Sequence, residues 1–244
     1  MQGMRHAEKT RGTSLSAFWN PFDECTADQV EVLRELGRLI VDAGQHVNIV
    51  GSPEPEVVWN RHVVHSLMLA YRGFPAGATV VDWGTGGGFP ALPLAIRFPE
   101  VEFVALDSVG KKIAIVRMIV RRLGLSNVEA VQARAEEWEA TWDYSVSRAT
   151  APLSELWAWH ERAARGGDEA GTPEATRSWR GRLMALKGGD LGFEIADFRG
   201  HFADVGIVQY DLGELTGRSF LGNKYIVEVG RSVTGGGGAG ENHA

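Results

Sequence analysis

Apolar residues recur at helical spacing in the N-terminal part of the chain. The motif Thr26-Ala27-Asp28-Gln29 has the form of a capping box, and apolar side chains follow at positions 30, 33, 36, 40 and 41, before Gly44. This pattern predicts an amphipathic helix that begins after Thr26. A second helix, with a looser apolar face, is expected to open at Ser52-Pro53. Because both helices precede the first strand pattern, we interpret residues 19–73 as an N-terminal helical cap.

From residue 78 onward, short apolar runs alternate with helical stretches. Near-continuous apolar strands separated by helices are typical of a mostly parallel sheet with helices on both faces. Two later runs, 203–210 and 225–229, predict a C-terminal hairpin without an intervening helix, in which one strand runs antiparallel. The predicted strands are 79–83, 101–106, 128–132, 144–147 and 183–186, and the predicted helices are 90–98, 111–123 and 153–164.

These elements predict an α/β, Rossmann-like domain over residues 74–232. Three segments lack the periodicity of packed elements. Residues 1–18 are interpreted as a flexible tail, residues 166–178 as a surface loop, and residues 233–244 as a disordered glycine-rich tail.

The composition is that of an ordinary globular protein, with 244 residues, 44% of them hydrophobic and 23% charged. Cys25 is the single cysteine, which excludes an internal disulfide and a cysteine-rich metal cage, and no metal is expected. No apolar run approaches the roughly 20 residues of a membrane span, and the N-terminus lacks the apolar stretch of a secretory signal. We therefore expect a cytoplasmic protein that does not bind membranes.

The net charge of −6 excludes a general polycation that coats nucleic acid by charge alone. Two stretches, 108–125 and 177–187, nevertheless carry several lysines and arginines and no acidic residue. Each stretch is either a local RNA contact or an ordinary solvated face.

The most informative segment is a glycine-rich loop, which runs from Asp82 to Pro90 with the sequence DWGTGGGFP. It lies where the first strand ends and a helix begins, and in open parallel sheets ligands bind at such ends. A dinucleotide fingerprint that starts at Gly84 would need a glycine at Phe89, and Pro90 has no N–H to offer a pyrophosphate. The spacing of Asp82, Gly84, Gly86 and Gly88 fits a loop that holds S-adenosylmethionine. A nicotinamide oxidoreductase is the alternative.

Polar residues follow the next two strands at the same edge of the sheet. Asp107 stands 25 positions after Asp82, where a carboxylate can accept hydrogen bonds from ribose hydroxyls. Ala135 and Glu136 follow the third strand, where an adenine edge would lie. The alternative is that the glycines form only a tight turn and that Asp107 caps the next helix.

The end of the fourth strand bears on the substrate. It reads Ser147-Arg148-Ala149, without the Asn/Asp-Pro-Pro-aromatic motif that amine methyltransferases use to orient an amine. A ring nitrogen such as guanine N7 has a lone pair and no proton to lose, so that it needs positioning rather than a general base. Arg148 is the candidate catalytic residue, by stacking on a base, contacting a phosphate or binding the methionine carboxylate; otherwise it belongs to a surface ion pair. Candidate RNA contacts are Arg61, His62, Lys111, Lys112 and Lys187.

At these residues the chain resembles the ribosomal RNA small-subunit methyltransferase G family, also called glucose-inhibited division protein B, which methylates guanine N7 in 16S rRNA. The resemblance runs from about residue 33 to about residue 186. It is carried by the segments VNIVG, RHVVHSL, DWGTGGGFPALPLAI, LDSVGKK, LGLSNVEAVQARAEE, SRATAPL and MALKGG. Two positions depart from the family pattern: His65 replaces a usual Asp, and Ala91 replaces a usual Gly.

The resemblance implies a class I S-adenosylmethionine-dependent methyltransferase with a seven-stranded sheet. It also implies a 16S rRNA partner, within the small subunit or an assembly intermediate, and a monomeric enzyme. A non-catalytic ribosome-assembly factor that keeps the fold for binding alone is a further alternative. The implied contacts are Gly84 and Phe89 to the cofactor, Asp107 to its ribose, Ala135 and Glu136 to its adenosine end, and Arg148 to its methionine end or the target base.

Overall fold

The computed structural model describes residues 18–45, 47, 49–148, 150–164 and 181–231. All of the predicted tail at 1–18 except residue 18 lies outside the described residues, as do the predicted surface loop at 166–178 and the glycine-rich tail at 233–244.

Two helical segments open the structure. Helix α1 spans Ala27–Gly44 and begins with the predicted capping box, in which the Thr26 hydroxyl accepts from the Gln29 N–H at 3.2 Å and the Thr26 N–H donates to the Gln29 side chain at 2.9 Å. The second segment, α2, covers residues 55–71. It starts as an α-helix at Pro55–Val58, widens to a π-helix over Trp59–Val64, returns to α-helix at His65–Leu67 and ends as a 3-10 helix at Met68–Tyr71.

The sheet has seven strands in the order β3-β2-β1-β4-β5-β7-β6. Strands β1 to β5 pair in parallel, and β7 runs antiparallel to both β5 and β6, which confirms the predicted ending. Each predicted strand is present, within one or two residues of its expected bounds. The strands are β1 (Thr79–Trp83), β2 (Glu102–Asp107), β3 (Val128–Gln132), β4 (Tyr144–Arg148), β5 (Leu183–Gly188), β6 (Val205–Asp211) and β7 (Lys224–Arg231).

Three predicted helices follow their strands as α3 (Ala91–Arg97), α4 (Gly110–Leu123) and α5 (Leu153–Ala163). The sequence interpretation missed α6 (Gly192–His201). Only Ile195 and Phe198 are buried on this helix and Phe193 is exposed, so its apolar residues do not form one buried stripe.

The prediction that β6 and β7 are joined without a helix was wrong. A short helix, α7 (Leu212–Thr216), and a 3-10 turn at Ser219–Leu221 lie between them. The Asp211 side chain accepts from the Glu214 N–H at 3.0 Å, and Gly217 ends the helix in the left-handed region at φ +65°. A side-chain cap and a glycine stop therefore define a helix too short to show apolar periodicity.

Both faces of the sheet are covered, as the near-continuous apolar strands predicted. On one face the α1 side chains Leu33 and Ile40 pack with Ile113 of α4, so that the two N-terminal helices share a core with the sheet helices. On the other face α5 and α6 cover Trp83 and the adjacent strand residues. Among the described residues, no helix is both long and apolar enough to cross a bilayer.

One buried histidine gives the fold a pH dependence. His160 lies between the Ser145 hydroxyl, at 2.8 Å from its Nδ1, and the Gly181 carbonyl, at 2.9 Å from its Nε2. The neutral ring satisfies both partners by accepting from Ser145 and donating to Gly181. Burial lowers the pKa of His160 from 6.5 to about 4.

We expect the stabilising contribution of His160 to be present above pH 6.5 and to be lost as the pH falls toward 4. Between these pH values His160 is protonated in the unfolded protein but stays neutral in the folded protein. The difference in unfolding free energy between the wild type and His160→Gln, measured in urea, should shrink by about 1 to 2 kcal/mol between pH 7 and pH 5. A difference that is constant or grows on acidification would contradict the assignment.

Candidate active site

A large cleft lies at the carboxyl edge of the parallel strands. It has a volume of about 860 Å³ and is walled by the loops after β1, β2 and β3, the end of β4, and part of α2. Ten of the residues predicted from the sequence line it: Arg61, His62, Gly84, Gly86, Phe89, Asp107, Lys112, Ala135, Glu136 and Arg148.

The three predicted glycines of the loop are required for different structural reasons. Gly84, Gly86 and Gly88 all adopt positive φ angles, of +71°, +59° and +92°. A Cβ on Gly84 would lie 2.1 Å from the Thr150 side chain, and one on Gly88 would lie 2.4 Å from that of Leu92. A Cβ on Gly86 would meet nothing within 4 Å, and Gly86 lines the cleft. Gly88 therefore serves packing beneath the loop, whereas Gly86 keeps the cleft open.

Backbone amides of the loop are bonded within the protein. The Thr85 N–H donates to the Leu106 carbonyl at 2.8 Å, and the N–H groups of Gly88 and Phe89 both donate to the Thr85 carbonyl, at 3.0 and 2.8 Å. The first bond joins the loop to β2 and the other two close the turn, so these three amides are not free donors for a pyrophosphate.

Asp107 holds this loop to the next one. Its Oδ2 accepts from the Gly86 N–H at 2.9 Å, and its Oδ1 accepts from the Val109 N–H at 2.8 Å, just before α4 begins. The Lys112 ammonium lies 3.8 Å from Oδ2. Helix α4 has Val109 at its N-cap and no side-chain cap, so the alternative that Asp107 caps this helix is wrong. Asp107 borders the cleft, where each oxygen retains a lone pair for a ligand.

Asp82, by contrast, does not reach the cleft. It is fully buried below the loop, and its Oδ2 accepts from the Ala91 N–H at 3.1 Å. Burial raises the pKa of Asp82 from 3.8 to about 7, against the opposing effects of the Thr85 hydroxyl and the Ala91 N–H. The structure therefore gives Asp82 the role of fixing the loop to the start of α3.

The third strand brings Ala135 and Glu136 to the far end of the cleft. They lie in the 3-10 turn Ala135–Glu137, and the Ala135 carbonyl accepts from the Arg162 guanidinium of α5 at 2.6 Å. The cleft is also lined there by Trp159 of α5, an aromatic side chain that the sequence analysis did not select.

Arg148 lies at the centre of the cleft, where β4 ends. Its guanidinium donates to the Arg61 carbonyl at 2.9 Å and lies 5.2 Å from the centroid of the Phe89 ring. Burial lowers the pKa of Arg148 to about 10, which leaves it charged at neutral pH, and the buried Asp82 opposes this shift. Its partners are the Arg61 carbonyl and the Phe89 ring, and among the described residues it forms no ion pair, so the structure does not support the surface ion-pair alternative.

The acceptor of this hydrogen bond belongs to the π-helical stretch of α2. Insertions of this kind widen a helix and are frequent at functional sites. Here the stretch Trp59–Val64 carries both Arg61 and His62 to the cleft. The sequence predicted a helix at this position but gave no signal for its widening.

Two histidines on α2 line the cleft as neutral rings. Burial, together with the nearby Arg148, lowers the pKa of His62 to about 4 and that of His65 to about 3. The Lys224 ammonium contributes to the shift of His65. Both rings are therefore uncharged at neutral pH, and the cations of this wall are its arginines and lysine.

The candidate RNA contacts separate into two groups. Arg61, His62 and Lys112 line the cleft, and Lys111 is exposed on the first turn of α4, outside it. Lys187 does not reach the cleft, since its Nζ lies 2.6 Å from both the Ala151 carbonyl and the Glu194 carboxylate. These partners account for Lys187 without an RNA contact. Arg177 and Arg180 lie outside the described residues.

Sequence reasoning missed several lining residues besides Trp159. Thr150 donates from its hydroxyl to the Gly84 carbonyl at 3.2 Å. Phe220 reaches the cleft from the 3-10 turn before β7, and Lys224 reaches it from the first position of β7. Phe220 and Lys224 belong to the segment between the last two predicted strands, which was interpreted as a turn. Only the order of the strands in the sheet shows that this segment borders the site.

Comparisons with known proteins agree with this geometry. A family profile described as GidB, rRNA small subunit methyltransferase G, matches residues 29–171. A protein named Ribosomal RNA small subunit methyltransferase G from Salinibacter ruber is 48% identical over 86% of this chain and 97% of that protein. One of the same name from Bacteroides fragilis is 34% identical over 85% of this chain and 96% of that protein.

A solved structure titled ribosomal protein L11 methylase, from Lactobacillus delbrueckii subsp. bulgaricus, is similar with a TM-score of 0.53. It is 14% identical and covers 71% of this chain and 79% of that one, which supports the fold alone. The seven-stranded sheet and its cleft define a class I methyltransferase fold. Within that class, the chain belongs to the rRNA small subunit methyltransferase G family, and family and fold together imply the use of S-adenosylmethionine.

The two positive-φ glycines Gly86 and Gly88 provide a matched pair of variants. We expect Gly88→Ala to destabilise the protein by about 3 kcal/mol or more, because strain at φ +92° adds to a clash with the buried Leu92. Gly86→Ala should cost about 1 kcal/mol, since only backbone strain applies. Urea unfolding of both variants measures the difference, and equal losses would contradict the assigned roles.

Proposed function

We propose that this chain transfers a methyl group from S-adenosylmethionine to N7 of a guanine in 16S ribosomal RNA. The strongest support comes from the glycine loop, which presents Gly86 to the cleft beside Asp107, while the amides of Thr85, Gly88 and Phe89 are bonded to protein carbonyls. Such a loop fits a nucleoside ligand without phosphates. Membership in a family of rRNA methyltransferases points to the same chemistry.

The lining residues fit S-adenosylmethionine in charge and in shape. The unfilled lone pairs of Asp107 suit two ribose hydroxyls, and the absence of a side chain at Gly86 leaves room above the loop. Ala135 and Glu136 are suited to the adenine edge at one end of the cleft. Arg148 retains four N–H donors beyond its bond to Arg61, which suit the methionine carboxylate or the target base.

The reaction requires positioning rather than proton transfer. When bound, S-adenosylmethionine supplies an electrophilic methyl group on a positively charged sulfur. Guanine N7 uses its lone pair to form the new N–C bond as the S–C bond breaks, with S-adenosylhomocysteine as the second product, so that no general base is needed. Arg148 and the neutral His62 can then hold the base near 3 to 3.5 Å from the methyl carbon.

The substrate must present an unpaired guanine. In A-form RNA the major groove that carries N7 is too deep and narrow for side chains, so the target base has to be splayed out or flipped into the cleft. An acidic chain with local cations at Arg61, Lys111 and Lys112 suits a structured particle better than naked RNA. We therefore propose the small ribosomal subunit or an assembly intermediate as substrate, a monomeric enzyme and a cytoplasmic location.

The alternatives differ in what the site must bind. A nicotinamide oxidoreductase would need donors for a diphosphate, whereas the amides at Thr85, Gly88 and Phe89 are bonded internally and Ala91 N–H is held by Asp82. A non-catalytic assembly factor would not need the cleft residues for its effect in cells.

Mapping of methylated guanine in 16S rRNA by mass spectrometry tests the proposed function. We expect N7-methylguanine at one position to be missing in cells without the gene and to return with the wild-type gene but not with Asp107→Asn. The variant keeps one backbone hydrogen bond of the carboxylate but loses the charge that favours ribose hydroxyls. Recovery of normal growth by Asp107→Asn without the modification would favour the assembly factor, and calorimetric binding of NADH instead of S-adenosylhomocysteine would favour the oxidoreductase.

Arg148 should matter for turnover more than for folding. We expect Arg148→Ala to lower kcat/KM by about a hundredfold, because the base and the methyl group are no longer held in line. Arg148→Lys should recover only part of the activity, since an ammonium cannot repeat the planar contacts with Phe89 and the Arg61 carbonyl. A native melting curve together with unchanged turnover in Arg148→Ala would contradict this role.

A further inference from the structure

The cleft divides into two halves on either side of Arg148. One half, which we call the cofactor half, is formed by the loops after β1, β2 and β3 and contains Gly86, Asp107 and Glu136. Because the strand order continues from β4 to β5 and β7, the other half lies over these strands and beneath α2. We call this second half the acceptor half. Its lining residues are Arg61, His62, His65, Thr150, Phe220, Leu221 and Lys224.

Charge is separated between the halves. Both carboxylates among the described lining residues, Asp107 and Glu136, belong to the cofactor half. The acceptor half has Arg61 and Lys224 beside the central Arg148, and its histidines are neutral. Neither Arg61 nor Lys224 forms an ion pair with another residue of the described chain. The two cations are therefore available to an anionic ligand that enters this half.

The backbone pairing of β7 places Lys224 at the carboxyl edge of the parallel strands. It is the first residue of β7 and pairs with Gly188, the last residue of β5. A Cβ on Gly188 would lie 2.8 Å from the Lys224 Nζ, so the glycine leaves the space that the ammonium group uses. The effect of Lys224 on the pKa of His65 places this charge close to the wall of the acceptor half.

Phe220 is an apolar side chain that is 42% exposed at the same wall. Its neighbour Leu221 is buried in the core, and the preceding Arg218 donates to the Asn20 side chain at 2.9 Å, so the segment is anchored on both sides of the aromatic ring. An exposed, anchored aromatic ring among cations is the arrangement with which proteins stack single-stranded bases, because every base offers an aromatic face.

We propose that Phe220 and Lys224 form a nucleotide subsite in the acceptor half, in which Phe220 stacks on an RNA base and Lys224 contacts an adjacent backbone phosphate. The subsite rests on the proposed function, since it supplies the nucleotide whose base meets the methyl group at Arg148. It adds Phe220 from the β6–β7 connection and Lys224 from the start of β7 to an RNA site that otherwise depends on α2 and α4.

Steady-state methyl transfer to small ribosomal subunits from cells that lack the gene tests the stacking contact. We expect Phe220→Ala to lower kcat/KM on the order of tenfold and Phe220→Trp to retain activity, because tryptophan also stacks on bases. The matched control is Phe193→Ala, which removes a phenylalanine that is 91% exposed on α6 and does not line the cleft. The affinity for S-adenosylhomocysteine, measured by calorimetry, should stay within about twofold of the wild type in all three variants.

The phosphate contact is tested by salt dependence. Lys224→Gln should weaken binding to the subunits and reduce the slope of log affinity against log salt concentration by about one. Arg38→Gln, which removes one positive charge from the outer surface of α1, should leave the slope unchanged.

Three results would overturn the subsite. The first is a kcat/KM of Phe220→Ala equal to that of Phe193→Ala. The second is a loss of S-adenosylhomocysteine affinity in Phe220→Ala that matches its loss of kcat/KM, which would mean that Phe220 covers the cofactor. The third is an unchanged salt slope in Lys224→Gln, which would show that Lys224 does not contact a phosphate. Failure of the proposed function is distinguishable, because the wild-type protein itself would then neither bind S-adenosylhomocysteine nor methylate the subunits.

Discussion

The active site depends on one carboxylate that joins two loops of the sheet. Asp107 accepts the Gly86 N–H with one oxygen and the Val109 N–H with the other, and it thereby fixes the ends of β1 and β2 relative to each other. Charge-assisted bonds of this kind are stronger than neutral ones. The Gly88 and Phe89 amides of the glycine loop bond to the Thr85 carbonyl, and Asp82 holds the loop to α3 from below. The cleft is therefore formed by the fold before any ligand binds.

Arg148 connects this prearranged loop to the N-terminal helices. Its bond to the Arg61 carbonyl and its contact with the Phe89 ring link α2, the end of β4 and the glycine loop at one buried cation. Burial, with a smaller effect of the same charge, lowers the pKa of His62 and of His65, so this wall combines fixed cations with uncharged polar rings. Such a wall can bind an RNA nucleotide without changing its charge near neutral pH.

Local patterns predicted the parts of the molecule that local chemistry determines. The capping box at Thr26, the buried strands and the glycine loop were all visible because each depends on residues close in sequence. The role of Asp82 was not visible, since its burial results from packing beneath the loop. Phe220 and Lys224 were missed for a topological reason. Strand β7 lies beside β5, which brings residues near the C-terminal end of the sheet domain to a site formed mainly by the ends of β1 to β4. Lys187 looked like an RNA contact because its partner Glu194 lies on a helix that the sequence did not predict.

The role of Asp107 can be seen directly in a crystal structure of the protein with S-adenosylhomocysteine. We expect both ribose hydroxyls within hydrogen-bond distance of the Asp107 carboxylate, which should keep its bonds to the Gly86 and Val109 amides, and we expect the sulfur to face Arg148. A ligand bound elsewhere, or an Asp107 side chain turned away from the ribose toward the protein interior, would contradict it.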